Sequence, residues 1–138
     1  VSEKSIKGLH ILLAEDNELN MEIAEFVIQN EGASVTKAWN GQEAVEIFKK
    51  SRPDEFDVIL MDIMMPIKNG YEAAKMIRAL DRDDAKTVPI IAMTANAFTE
   101  DRLKSKESGM NEHIAKPIDA KLLVKVISEF VENKEEDS

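Results

Sequence analysis

Cysteine is absent from this chain of 138 residues. Its absence excludes disulfides, thiolate metal centres and thiol nucleophiles. It also suits a reducing compartment, so the cytoplasm is the expected location. Basic residues are in deficit, 18 Lys and Arg against 27 Asp and Glu, which leaves a net charge of −9. A nucleic-acid backbone or an anionic membrane is repelled across most of such a surface, and neither is expected as a direct partner. Long hydrophobic runs are missing too: no stretch approaches membrane-spanning length, and the start VSEKSIKG lacks the apolar segment of a signal peptide. The length leaves room for one domain with a substantial core. Polar ends set off a leader or linker over residues 1–8 and an acidic tail over 133–138, with the domain between them at 9–132.

What is present is a regular alternation. Short β-type runs stand at Leu9–Ala14, Ser34–Ala38, Asp57–Met61, Val88–Met93 and His113–Ala115. Helical periodicity fills the gaps at Leu19–Asn30, Gln42–Lys50, Tyr71–Leu80, Glu100–Ser108 and Ala120–Glu132. Parallel strands need crossovers, so this succession predicts an α/β domain with a doubly wound parallel sheet covered on both faces. The runs DVILM and VPIIAM fit central strands buried on both sides. Leu122, Leu123, Val126, Ile127 and Phe130 form the expected core stripe of the last helix. Asn40 and Asn69 each stand three residues before a Glu, an Asn form of the capping box, while Asp119 suits the cap of the last helix and Gly109 the stop of the one before. Met61, Met64 and Met65 are expected to pack the core and anchor a loop, and Trp39 to lie half-exposed near a helix cap.

In a doubly wound sheet, ligands bind beyond the carboxyl ends of the strands. There the first strand runs into Glu15 and Asp16, the third into Asp62, the fourth into Thr94 and the fifth into Lys116. Taken singly, each reads as a cap or a surface residue; their joint placement at one edge sets them apart. Crowded carboxylates repel, and burying them requires a cation or a donor. An oxygen-rich cluster of this kind suits Mg²⁺, which takes one or two protein carboxylates and keeps several waters. It suits phosphoryl transfer onto a carboxylate as well. Asp62 is then the nucleophile, Lys116 and the metal offset the incoming charge, and the Thr94 hydroxyl donates to the transferred group.

At these spacings the segments ILLAEDN, VILMDIMMP, IIAMTANAF and HIAKPID resemble the receiver domain of two-component response regulators, over about Leu9 to Val131. Receivers are themselves a standard instance of the flavodoxin-like (βα)5 fold with strand order 2-1-3-4-5, so that order comes with the resemblance. The resemblance implies that Asp62 is the phosphoacceptor. It implies that Glu15, Asp16, Asp62 and the Met64 backbone carbonyl surround Mg²⁺, with Mn²⁺ able to substitute. Thr94 and Lys116 then contact the phosphoryl group, and the peptide between Lys116 and Pro117 is cis. Thr94 and His113 take the positions of the family's switch pair, His113 standing where relatives usually carry Tyr or Phe. Glu15 stands where many relatives have Asp.

The implied activity is transfer of a phosphoryl group from phosphohistidine to Asp62, followed by hydrolysis. AEDNELN, MTANAF and GMNEHIAKPID are most like receivers of hybrid sensor histidine kinases, whose parent chains can be membrane-anchored. A stand-alone single-domain response regulator is the alternative. Expected partners are a sensor histidine kinase or a histidine-phosphotransfer domain, met by a monomer or weak dimer. Met21, Ile23, Ala24, Val27 and Ile28 of the first helix divide between core and docking. Met64, Ala95 and Asn96 are expected to line the phosphoryl entrance. Two other classes share the architecture. A Mg²⁺-dependent phosphatase generally carries a second acid two residues after its nucleophile, where this chain has Met64. A flavin module wants a hydroxyl- and amide-rich loop after the first strand, where EDN repels phosphate.

Overall fold

The computed structural model describes residues 5–95 and 102–131, with Arg102 described by its backbone alone. Expectations for Asn96, for the start of the fourth predicted helix and for the acidic tail lie outside the described residues. Strands β1 (His10–Ala14), β2 (Ser34–Ala38), β3 (Val58–Asp62), β4 (Ile90–Thr94) and β5 (Glu112–Ala115) form one parallel sheet in the order β2-β1-β3-β4-β5. Helices α1 (Glu18–Asn30), α2 (Gly41–Lys50), α3 (Gly70–Arg78), α4 (Asp83–Thr87), α5 (Arg102–Glu107) and α6 (Ala120–Phe130) make the crossovers. None of the described helices is long and apolar enough to cross a membrane.

Alternation along the strands divides the core between two faces. Leu12, Ala14, Ile59, Met61, Ile90 and Ala92 face α2, α3 and α4. Ile11, Leu13, Val58, Leu60, Ile91 and Met93 face α1 and α6. Every residue of β3 and β4 is buried, as central strands of a covered sheet require. β4 begins two residues later than the apolar run suggests, at Ile90, because Pro89 has no N–H for the ladder.

Several local expectations are corrected. The described helices include one more than the five predicted: α4 spans five residues, too few to show a 3.6-residue period, and is held by the buried Ala85 and Asp84. In α6 the buried set is Leu123, Val124, Val126 and Ile127, while Leu122 sits at the edge of the stripe and Phe130 at the helix end, both partly exposed. Asn69 and Glu72 form the complete capping box. Asn40 caps α2, but the Glu43 carboxylate accepts from the Trp39 N–H at 3.0 Å, one residue earlier than expected. Asn40 has φ −162° where Asn69 has −76°, and that rotation turns its own N–H away from the helix. Gly109, at φ +96°, ends α5 in a Schellman turn, with Met110 N–H donating to Ser105 O and Gly109 N–H to Lys106 O, both at 3.0 Å.

Candidate functional site

The carboxyl edge of the sheet carries the site. Glu15 continues β1, its N–H donating to Ala38 O at 3.0 Å, and its side chain is 1% exposed. Asn17 caps α1 and donates its own N–H to Glu15 Oε2 at 3.0 Å, which orients the carboxylate inward. Asp62 closes β3 opposite Met93 and is 2% exposed. Its Oδ1 accepts the Met64 N–H at 3.3 Å. Gly70 N–H reaches back to Ile63 O at 2.9 Å, and a Cβ at Gly70 would run into the Asp62 carbonyl oxygen. A glycine there lets the 63–69 loop fold against the end of β3.

Lys116 joins these acids. Its N–H donates to Thr94 O at 2.7 Å, and the peptide that follows, to Pro117, is cis. Its Nζ stands 3.3 Å from Glu15 Oε1 and 3.2 Å from Asp62 Oδ2. The ammonium therefore supplies one of the positive charges that the buried acid pair requires. Burial pushes the Asp62 carboxyl up from the ordinary 3.8 to about 7, and the neighbouring Glu15 adds to the rise against the opposing pull of Lys116. Burial lowers the Lys116 pKa, but the charges and hydrogen bonds of Asp62 and Glu15 outweigh it and leave the ammonium above its usual range.

Glu15, Asp16 and Asp62 each offer a carboxylate oxygen, all within 4.8 Å of one another. Asp16 is exposed and the other two are buried, so the cluster opens to solvent on one side. Hard oxygen donors at this spacing fit Mg²⁺ or Mn²⁺. The structure thus brings together four residues singled out in the sequence, Glu15, Asp16, Asp62 and Lys116. Thr94 is buried at the end of β4, paired with Ala115. His113 stands on the same face of the sheet as Thr94, one ladder step back and opposite Ala92, with its Nε2 2.6 Å from Ser105 Oγ of α5.

Met61 and Met65 are buried, but Met64 is 75% exposed at the rim, a correction to the packing role expected of it. Ile63 is still buried, its N–H donating to Met93 O at 3.1 Å, and the chain leaves the sheet only after it, which leaves the Met64 side chain no core to enter. In α1, Met21, Ala24 and Ile28 are buried, Val27 packs against the core and Ile23 is partly exposed. Residues missed in the sequence are Leu19 and Phe26, both strongly exposed on α1, and Ile67, exposed on the 63–69 loop. A helical wheel placing Met21, Ala24 and Ile28 inward would have marked Phe26 as outward; nothing in the sequence marks Ile67.

Residues 11–128 match the response regulator receiver domain family. The chain is 35% identical over 156 residues to Histidine kinase 1 of Arabidopsis thaliana, a match that takes in 91% of this chain and 13% of the length of that protein. It is similar in structure to the receiver domain of the sensor histidine kinase PA1611 from Pseudomonas aeruginosa PAO1, solved with a magnesium ion coordinated in the active site cleft (TM-score 0.79, 37% identity, 89% of this chain and 97% of that one). A TM-score of 0.79 with 33% identity, over 93% of this chain and 92% of the other, relates it to the co-crystal structure of the Saccharomyces cerevisiae histidine phosphotransfer signaling protein Ypd1 and the receiver domain of its downstream response regulator Ssk1. Sheet order, acid cluster and matched span agree: the chain belongs to the response regulator receiver domains of two-component phosphorelays.

Proposed function

We propose that Asp62 is the phosphoacceptor and that Glu15, Asp16, Asp62 and the Met64 carbonyl hold Mg²⁺ beside it. The observation that carries this reading is the Lys116 ammonium bridging the buried Glu15 and Asp62 carboxylates at the ligand-binding edge of the sheet. In the transfer, an Asp62 carboxylate oxygen attacks phosphorus while the bond from phosphorus to the donor imidazole nitrogen breaks, leaving an acyl phosphate on Asp62. Lys116 offsets the charge of the incoming group, and the Thr94 hydroxyl donates to it and reports its arrival. Mg²⁺, when bound, neutralises carboxylate and phosphoryl charge and favours the ionised form of Asp62. Hydrolysis later cleaves the acyl phosphate and releases inorganic phosphate. His113 shares the switching role with Thr94 through its contact with Ser105.

The likeness to relatives named as hybrid signal transduction histidine kinases supports a receiver that comes from a hybrid sensor kinase; on this reading it spans about residues 9–132 and works on the cytoplasmic side of its parent protein. Its partner on this reading is a histidine-phosphotransfer domain, engaged through Leu19, Ile23 and Phe26 of α1. Intact-mass analysis after incubation with acetyl phosphate tests the assignment. A single Mg²⁺-dependent phosphoryl adduct, labile to hydroxylamine and lost in Asp62→Asn, is the expected result; an adduct that persists at the same site in the variant overturns it.

A further inference from the structure

The 63–69 loop holds a feature that the packing of the chain does not require. Ile67 has φ +68° and sits at the centre of a γ-turn, Lys68 N–H donating to Pro66 O at 2.7 Å. This is the rarer, strained hand of that turn, and a β-branched residue fits the left-handed region worst of all. Backbone of this kind persists only where its surroundings over-determine it. Here they do: the turn is fastened on one side by Gly41 N–H to Lys68 O at 3.1 Å and on the other by Gly70 N–H to Ile63 O at 2.9 Å. Yet the Ile67 side chain is 77% exposed, so the strain yields no burial within the chain.

Asp62 is 2% exposed and its carboxylate meets the Met64 N–H. A protein that delivers a phosphoryl group must bring its imidazole nitrogen into line with that carboxylate, and so must lie against the turn beginning at Met64. Met64 and Ile67 present two neighbouring apolar side chains to it. Resting on the reading of Asp62 as phosphoacceptor, we propose that Ile67 is a docking knob for the phosphohistidine-bearing protein, held outward by the strained turn to fill an apolar depression beside the donor histidine. Preorganisation is the physical gain: a knob fixed before encounter loses little freedom on binding.

Three substitutions test this. Ile67→Asn relieves the strain, since Asn tolerates positive φ, and removes the apolar surface; its melting temperature is expected to rise by about 3 °C. Ile67→Gly also removes the knob without side-chain strain, and Ile67→Leu keeps the apolar bulk. Labelling by acetyl phosphate, a donor too small to touch the knob, is expected to proceed equally in all. Transfer from phosphorylated Ypd1, used as the protein donor, is expected to slow about fivefold or more in the Asn and Gly variants and to recover in Ile67→Leu. Equal transfer to all four proteins overturns the proposal, as does a wild type that acetyl phosphate labels but Ypd1 does not. Failure of acetyl phosphate to label the wild type would instead overturn the phosphoacceptor reading.

Discussion

Asp62 shows what a single residue contributes at this site. With its carboxyl raised from the ordinary 3.8 to about 7, the folded chain holds that proton more tightly than the unfolded chain does. The resulting stabilisation is complete below about pH 4 and is lost as pH rises through about 7. Asp62→Asn keeps a neutral side chain of the same shape at every pH. In EDTA at pH 8 the variant is expected to be more stable than the wild type by on the order of 2 kcal/mol, with the difference gone near pH 4. Thermal melts across pH check this; a variant no more stable at pH 8 would mean that Lys116 fully compensates an ionised Asp62. Asp84 has the opposite sign. The Arg82 guanidinium holds its carboxyl below the usual range, so its contribution exists above about pH 4 and is lost on acidification. At this scale Glu15, Asp16, Asp62 and Lys116 were legible because strand ends in a parallel sheet converge. The exposure of Met64 and Ile67 was not, because an apolar residue in a loop reads the same whether it packs inward or faces a partner.

Arg82 ties several elements together. Its guanidinium donates to Phe48 O at 2.7 Å, Ser51 O at 3.0 Å and Arg52 O at 3.1 Å, and pairs with Asp84 at 2.7 Å. It thereby adds a donor to the Phe48 carbonyl, which the Ser51 N–H already caps, and reaches the carbonyls of the turn that follows α2. Asp84 in turn accepts the Asp54 N–H at 2.9 Å, which fastens the α2–β3 loop to α4. Arg82→Ala is expected to lower the free energy of unfolding by roughly 2–4 kcal/mol, because it removes the donors that join the α2 end to α4 and strands the poorly hydrated Asp84 carboxylate. Urea unfolding would register a lower midpoint at unchanged slope. Arg82→Lys is expected to recover less than half of the loss, since one ammonium cannot reproduce the planar fork. A loss under 1 kcal/mol would show that water replaces the guanidinium at no cost. The elements themselves were mostly legible: β2 matched in both bounds, β1 and β5 differed by one residue at the start, and β3 and β4 shifted by one or two residues at both ends. The α4 helix was not, since five residues carry no period and its anchor, Arg82, lies outside it in a run that reads as a polar loop.

Across the whole molecule, a net charge of −9 makes any bound cation favourable and any salt mildly so. A specific site is separated from that background by matching ionic strength. Mg²⁺ at ten times its dissociation constant is expected to stabilise the folded chain by about 1.4 kcal/mol beyond matched NaCl. EDTA should reverse the gain, and Asp62→Asn should reduce it. Equal effects of the two salts would remove Glu15, Asp16 and Asp62 as a cation site. The sequence by itself determined the α/β class and the carboxyl-edge convergence of acids and lysine, because strand periodicity and crossover geometry are properties of the chain order. Tertiary structure alone decided the rest. It made Lys116 the bridge between Glu15 and Asp62 at 3.3 and 3.2 Å, a matter of angstroms that spacing in sequence does not encode. It also fastened the 63–69 loop from both sides, so that Ile67 stands outward in a backbone conformation its own side chain disfavours. Local preference is a property of the residue; strain is imposed by what surrounds it.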